Sequence, residues 1–258
     1  MIIRKSTAEI ETMANAGRVV ADTIALLGEH LRPGITTAEL DDLADEYIRS
    51  QGGTSSFKGY RGYPASICTS ANDMVVHGIP GGRTMSEGDI LSVDVGVELD
   101  GFVADSAYTF GVGEISPDAE QLLEGCQAAL AAGIAQCLAG NRLSDVSHAI
   151  QTATEEAGFA VVRSLVGHGI GRAMHEDPQI PNYGPPGRGP ELQPGMTLAI
   201  EPMINAGSAD VYLHDDEWSI STIDGALSAH FEHTVAVTEN GPRILTATRN
   251  PAEPVLLP

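Results

Sequence analysis

Four stretches of the chain repeat apolar residues at helical spacing, and each follows a recognisable start signal. Ser6-Thr7-Ala8-Glu9 has the form of a capping box, in which a hydroxyl and a carboxylate three residues apart satisfy each other's backbone amides. Ile10, Met13, Ala14, Gly17, Val20 and Ala21 then follow on one helical stripe. Thr36-Thr37-Ala38-Glu39 repeats the signal ahead of Leu40, Leu43, Ala44 and Tyr47, and Gly52-Gly53 supplies the stop. Ser116-Pro117 places a cap and a first-turn proline before a Leu- and Ala-rich helix predicted to run to about Leu138. Ser144 is predicted to open a fourth helix that ends near Gly158. Residues 90–97, 102–110, 197–204 and 231–237 read as strands. Pro- and Gly-rich loops fill the rest, most densely over 178–194. The pattern predicts an α+β class with mainly antiparallel strands.

A faint internal repeat runs through these elements. Residues 33–52 match 139–158 at a constant offset, with Leu40 over Val146 and Leu43 over Ala149. His77-Gly78-Ile79 then answers to His168-Gly169-Ile170, and Leu91-Ser92-Val93-Asp94 to Leu198-Ala199-Ile200-Glu201. The shared order of helix, His-Gly-Ile and acidic strand favours duplication. One domain over 1–258 is expected, with halves of about 1–110 and 111–258 related by a pseudo-two-fold axis. Such an axis would gather acids and a histidine from each half.

Composition narrows the setting. Among 258 residues, 14 Lys+Arg stand against 35 Asp+Glu, a formal charge of −21. That charge disfavours nucleic acid or an anionic membrane as partner. Apolar residues make up 42%, enough to bury a core, which excludes a disordered acidic tail. The apolar stretches are too short and too broken by charge to span a membrane, and Met1-Ile2-Ile3-Arg4-Lys5-Ser6 lacks the apolar run of a signal peptide. Cys68, Cys126 and Cys137 form no CxxC and no disulfide framework. A cytoplasmic location is expected.

The chemistry gathers on acids in apolar surroundings. Asp94 and Asp105 lie on the two arms of a hairpin with Asp100-Gly101 in its turn. A two-residue turn would pair Asp94 with Ala107, and a four-residue loop would pair Asp94 with Asp105. Either register puts both carboxylates on one sheet face, where they repel unless a cation sits between them. Glu201 and Glu232 are lone acids inside apolar strand signals. His168, in Gly167-His168-Gly169, is expected in a tight turn where glycines let backbone crowd close. His77 and His175 also neighbour apolar residues, whereas His30, His148, His214, His230 and His233 read as surface or supporting, His233 pointing away from the Glu232 face. Two divalent cations would balance four carboxylates, which makes a two-metal centre the natural chemistry. Oxygen-rich ligation favours Mn, Fe or Co, with Zn also admissible. HExxH, GxSxG and Walker A motifs are absent, Gly111-Val-Gly113 lacks a third glycine, and Cys68 has no orienting partner for nucleophilic work.

This constellation resembles the bacterial, type I methionine aminopeptidases. The resemblance rests on Gly59-Tyr60-Arg61-Gly62-Tyr63-Pro64, the Asn72 to Pro80 segment with Val-His-Gly-Ile-Pro, Asp94, Asp105, Gly167-His-Gly-Ile-Gly171, His175-Glu-Asp-Pro178, Ile200-Glu-Pro-Met203 and Glu232-His-Thr, nearly the whole chain. It implies the pita-bread fold, a duplicated antiparallel sheet with helices on its outer face. It implies Asp94, Asp105, His168, Glu201 and Glu232 as ligands of two divalent ions (Co, Mn, Fe or Zn), Asp105 and Glu232 bridging. Asp94 would complete one ion, His168 and Glu201 the other.

The implied reaction removes the N-terminal methionine of nascent proteins and peptides with a small second residue, by a hydroxide bridging the metals. Glu201 would be the general base, His175 would stabilise the oxyanion, and His77 would bind the scissile amide nitrogen. Tyr60, Tyr63, Cys68 and Trp218 would form the methionine pocket, with Phe57 and Met174 nearby. Met174 stands where many relatives have Phe, and Phe57 where many have Cys, so the pocket rim would be reshaped. A monomer is expected, near the ribosome only transiently, since no zinc-binding or proline-rich N-terminal arm is evident. Two rivals stand beside it: an aminopeptidase P or prolidase, which shares the metal ligands but usually carries an added N-terminal domain, and a non-catalytic pita-bread binding protein, which typically loses ligands.

Overall fold

The computed structural model describes residues 1–247. Helix α1 (Thr7–His30) starts at Ser6, whose hydroxyl accepts from the Glu9 amide while the Glu9 carboxylate accepts from the Ser6 amide. Helix α2 (Thr37–Ser50) repeats this with Thr36 and Glu39. Each box satisfies amides that a first helical turn leaves without partners.

Strands β1 (Thr54–Ser55), β2 (Cys68–Ala71) and β3 (Met74–Val76) lead to a long hairpin of β4 (Ile90–Leu99) and β5 (Phe102–Gly111). Asp100 and Gly101 turn it at φ 52° and 76°, the pair of positive values a two-residue loop of this hand needs. Asp94 therefore faces Ala107 and Asp105 faces Gly96, the two-residue register, with the carboxylates diagonal on one face. Leu91, Val93, Val95 and Val97 belong to the core shared with α1 and α2. Ser92, Asp94 and Gly96 alternate with them and point to the opposite face.

Helix α3 (Pro117–Ala135) is capped by Ser116 and stops short of Leu138. Helix α4 (Leu143–Glu156) starts earlier than expected: the Ser144 hydroxyl accepts from the Arg188 amide instead of capping, and Asp145 accepts from the Arg142 amide. The remaining strands are β6 (Ala160–Val161), β7 (Val166–Gly169), β8 (Glu176–Pro181), β9 (Thr197–Ile200), β10 (Met203–Asn205), β11 (Val211–Leu213), β12 (Ile220–Thr222), β13 (Ser228–His230), β14 (His233–Thr238) and β15 (Gly241–Ile244). They form one sheet ordered β15-β14-β9-β7-β8 and two small ones, β13-β10-β6 and β11-β12-β3, beside the sheet of β1, β4, β2 and β5.

Two of the four expected strands are broken. The 197–204 run stops at Glu201-Pro202, because proline offers no amide to a ladder. The 231–237 run begins only at His233. Phe231 turns its amide to the Pro202 carbonyl, and Glu232 turns its own to Ala107 on β5 at 2.9 Å. Hydroxyls close the seam beside β5. Thr234 accepts from the Asp105 amide at 2.9 Å and donates to its carbonyl at 2.8 Å, and Thr109 does the same for His230 at 3.0 and 2.7 Å.

Helix α1 packs on β4 and β5, while α3 packs on α4, β9, β10 and β13. Leu122, Cys126, Ile150, Leu198, Ile200 and Val235 centre that second core. No helix among the described residues is long and apolar enough to cross a membrane. The expected second half, 111–258, extends beyond them at 248–258.

Candidate metal centre

Strand register assembles the acids. Cys68, Asp94 and Ala107 stand opposite one another across β2, β4 and β5, and the Glu232 amide binds the Ala107 carbonyl. Asp94 and Glu232 thus flank a single methyl group, and Asp105 lies two residues from it on the same face. His168 sits on β7 opposite Ala199, in a strand and not in the expected turn. The expected crowding is real: a Cβ at Gly167 would lie 2.5 Å from the Ala199 carbonyl oxygen, and one at Gly169 2.1 Å from that of Asp177. Glu201 follows in the break after β9, its carbonyl held by the Asn182 side-chain amide at 2.9 Å.

Donor atoms of Asp105, His168 and Glu232 all lie within 4.8 Å of one another, and His168 Nε2 is 3.5 Å from Glu201 Oε1. Asp94 Oδ1, Asp105 Oδ1 and Glu232 Oε1 are buried without a hydrogen-bond partner. Burial pushes the Asp94 carboxyl up to about 7. Burial, then the charges of Glu232 and Asp94, raises Asp105 well above its ordinary value. Burial raises Glu201 and Glu232 likewise, with Asp105 and Asp94 adding to the first, Glu201 and Asp94 to the second. No Lys or Arg among the described residues forms an ion pair with these four. Burial pulls His168 down to about 4, so the ring is neutral, and its Nδ1 donates to the Gly169 carbonyl at 3.0 Å. Nε2 is left with a free lone pair beside the carboxylates, the state a metal ligand requires. Hard oxygens with one imidazole, repelling until a cation arrives, fit divalent metal.

Every site residue singled out in the sequence lines one cavity of about 310 Å³. Tyr63 meets the Trp218 edge at 5.0 Å and Phe57 at 6.5 Å between ring centroids, and Met174 accepts from the Ser56 hydroxyl at 3.4 Å. Cys68 is buried, and burial followed by the Asp94 charge raises its thiol well above normal, so it is an inert wall. His77 ends β3 at φ 60°, a left-handed conformation unusual for a side-chain-bearing residue, with Trp218 edge-on at 6.5 Å. His175 stands exposed at the rim, 2.9 Å from the Tyr60 hydroxyl through Nδ1. Its segment is anchored from below: the Glu176 carboxylate takes Lys5 Nζ at 2.5 Å and the amides of Arg172 and Ala173 at 2.8 and 3.3 Å.

Of the histidines read as surface or supporting, His230 is not at the surface: it is 2% exposed and lines the cavity, with Nε2 4.0 Å from Glu201 Oε2 and 3.9 Å from Glu232 Oε2. The signal was its spacing, since residues two apart in a strand-like run share a face. His233 does point away, bonding Thr246 at 2.9 Å, and His214 bonds Ser221 at 2.9 Å. Arg61 also lines the cavity, its guanidinium 5.4 Å over the Tyr60 ring.

A model of metallopeptidase family M24 matches residues 11–239. The chain belongs to that family. Among relatives of this M24 peptidase, methionine aminopeptidase 1 of Bacillus subtilis (strain 168) is 53% identical over 246 residues, covering 95% of this chain and 99% of the relative. Methionine aminopeptidase of Clostridium perfringens is 54% identical over 246 residues, with the same coverage of each chain. The crystal structure of methionine aminopeptidase from Rickettsia prowazekii superposes at a TM-score of 0.95 and 40% identity, over 96% of the M24 peptidase and 100% of that chain. The prolidase from Pyrococcus furiosus, at 20% identity and TM-score 0.77, covers 96% of this chain with 66% of its own length and shares the fold alone. The α+β, pita-bread architecture is therefore that of the family.

Proposed function

We propose that this chain removes the N-terminal methionine of peptides and nascent proteins whose second residue is small, as a metal-dependent aminopeptidase. One observation carries the reading: buried acid oxygens without partners lie in the same cavity as a pocket of Tyr63, Cys68, Trp218, Phe57 and Met174. A flexible thioether suits such an aromatic and sulfur-containing wall. In this reading Asp94, Asp105, His168, Glu201 and Glu232 would hold two divalent ions, and the halves 1–110 and 111–258 are duplicated copies. Bound cations would supply Lewis acidity and bring a water's pKa toward neutrality.

The chain's own groups do the rest. Glu201, whose proton affinity burial raises, takes up and returns a proton at its carboxylate. Tyr60 OH and His175 Nδ1 lie 2.9 Å apart; the tautomer with the hydroxyl as donor keeps the ring's proton on Nε2 for the carbonyl oxygen as it gains charge. His77, held in place against Trp218, binds the scissile amide nitrogen. A monomer acting in the cytoplasm on emerging chains completes the proposal.

The test is methionine release from Met-Ala-Ser by chelator-treated protein titrated with Mn²⁺, Fe²⁺, Co²⁺ or Zn²⁺. Activity that returns with metal and vanishes with the N-acetylated peptide is expected. Preference for Ala-Pro would favour the prolidase alternative, and silence on both substrates by protein that binds metal would favour a binding protein.

A further inference from the structure

The mechanism above leaves one buried group unused. His230 Nε2 is enclosed and has no hydrogen-bond partner, an arrangement that folded proteins rarely leave unexplained. Its backbone has nowhere else to go. Amide and carbonyl are both bound to the Thr109 hydroxyl on one side, and the residue pairs with Met203 on the other, two positions from Glu201. The imidazole is thereby fixed between the two glutamates.

Glu201 Oε1 faces His168 Nε2 at 3.5 Å, and Glu232 Oε1 is buried without a hydrogen-bond partner. The Oε2 atom of each glutamate is the one near His230, at 4.0 and 3.9 Å. Carboxylates that ligate a metal are in turn hydrogen-bonded by groups behind them. We propose that His230 is a positioning residue of the metal centre, its Nε2–H directed at Glu201 Oε2 and Glu232 Oε2 and orienting both carboxylates for the cations. The proposal rests on the metallopeptidase reading and adds a residue to it.

Cobalt(II) titration of chelator-treated protein tests it, followed by calorimetry and by the visible absorption of bound cobalt, on wild type, His230→Gln and His230→Leu. Glutamine keeps an N–H donor at similar reach, so its spectrum matches wild type and its Kd stays within about threefold, whereas leucine weakens Kd by about 10- to 100-fold. The metal-free leucine variant melts no lower than wild type, because it replaces a partnerless buried nitrogen, a result a merely structural role would not produce. If leucine does not fold, His230→Asn, too short to reach either carboxylate, carries the same affinity loss. Leucine binding as tightly as wild type would overturn the proposal, and so would a glutamine spectrum that has lost a nitrogen ligand. Wild type that binds no cobalt would instead overturn the metal reading itself.

Discussion

The two arms that supply acids to the cavity are built differently. Strands β4 and β5 are each ten residues long and unbroken, and they carry Asp94 and Asp105 in mid-strand. The opposing arm is cut into pieces of three to six residues, and Glu201 and Glu232 sit in the cuts. An aspartate has a short side chain, so hairpin register alone aims it. A glutamate has one more rotatable bond, and its carboxylate goes where backbone and neighbours send it. Asn182 on the Glu201 carbonyl, Ala107 on the Glu232 amide and Ser106 on the Glu232 carbonyl do that here. The continuous arm acts as a template, and the broken arm is adjusted against it by tertiary bonds.

Breaking this contrast at its chemical end has the largest effect. Glu201→Gln keeps the shape but removes the proton acceptor, so kcat for Met-Ala-Ser falls by about 10²- to 10⁴-fold with little change in KM. Near-wild-type turnover would exclude Glu201 as base. Pro202→Ala restores the missing amide and lets β9 run on toward β10. Displacement of Glu201 then lowers kcat by roughly 10- to 100-fold while thermal unfolding barely moves. Unchanged kcat would mean that the cut does not aim the carboxylate.

Tyr60→Phe sharpens the comparison across the rim, because Tyr60 and His175 come from opposite halves of the chain. Loss of one hydroxyl donor lowers kcat about fivefold to tenfold, the equivalent of a hydrogen bond of ~1 kcal/mol, with KM unchanged. A rise in KM alone would return Tyr60 to a purely pocket-lining role.

The smallest effect is on stability. Asp94 is raised to about 7 in the folded protein, so the metal-free fold binds protons there that the unfolded chain has released. That contribution is lost as pH rises through about 7. The buried histidines are lowered to about 4 (His77, His168) or about 3 (His230), and they oppose it only below their ordinary value near 6.5. Metal-free protein therefore melts lower at pH 8 than at pH 6.5, by ~3 °C, and Mn²⁺ abolishes the difference. A metal-free melting temperature that rises over that interval would contradict the burial of the acids.

Much of the site was legible because its signals are local. Both capping boxes, the Asp100-Gly101 turn and the shared face of Asp94 and Asp105 depend on neighbours within a few residues. Pro202, inside the run read as one strand over 197–204, breaks it, and the amide of Phe231 comes to the Pro202 carbonyl. His230 was harder. A histidine in a strand-like run has no intrinsic preference for a cavity, and its two-residue spacing from Glu232 gains meaning only once Glu232 faces inward.

From the order of residues alone came the α+β class, three of the four helix starts, the hairpin register options and the acids with one histidine that a cation would unite. Each follows from hydrogen bonds and periodicities that span a turn or a strand. Only the tertiary structure decided which register is used, that the second arm is cut at its glutamates, and that His230 lies between them. Those outcomes depend on contacts such as Thr109 with His230 and Asp105 with Thr234, more than a hundred positions apart in the chain. Such contacts exist only after both sheets have packed, because a hydroxyl can replace a ladder bond only where two strands already lie side by side.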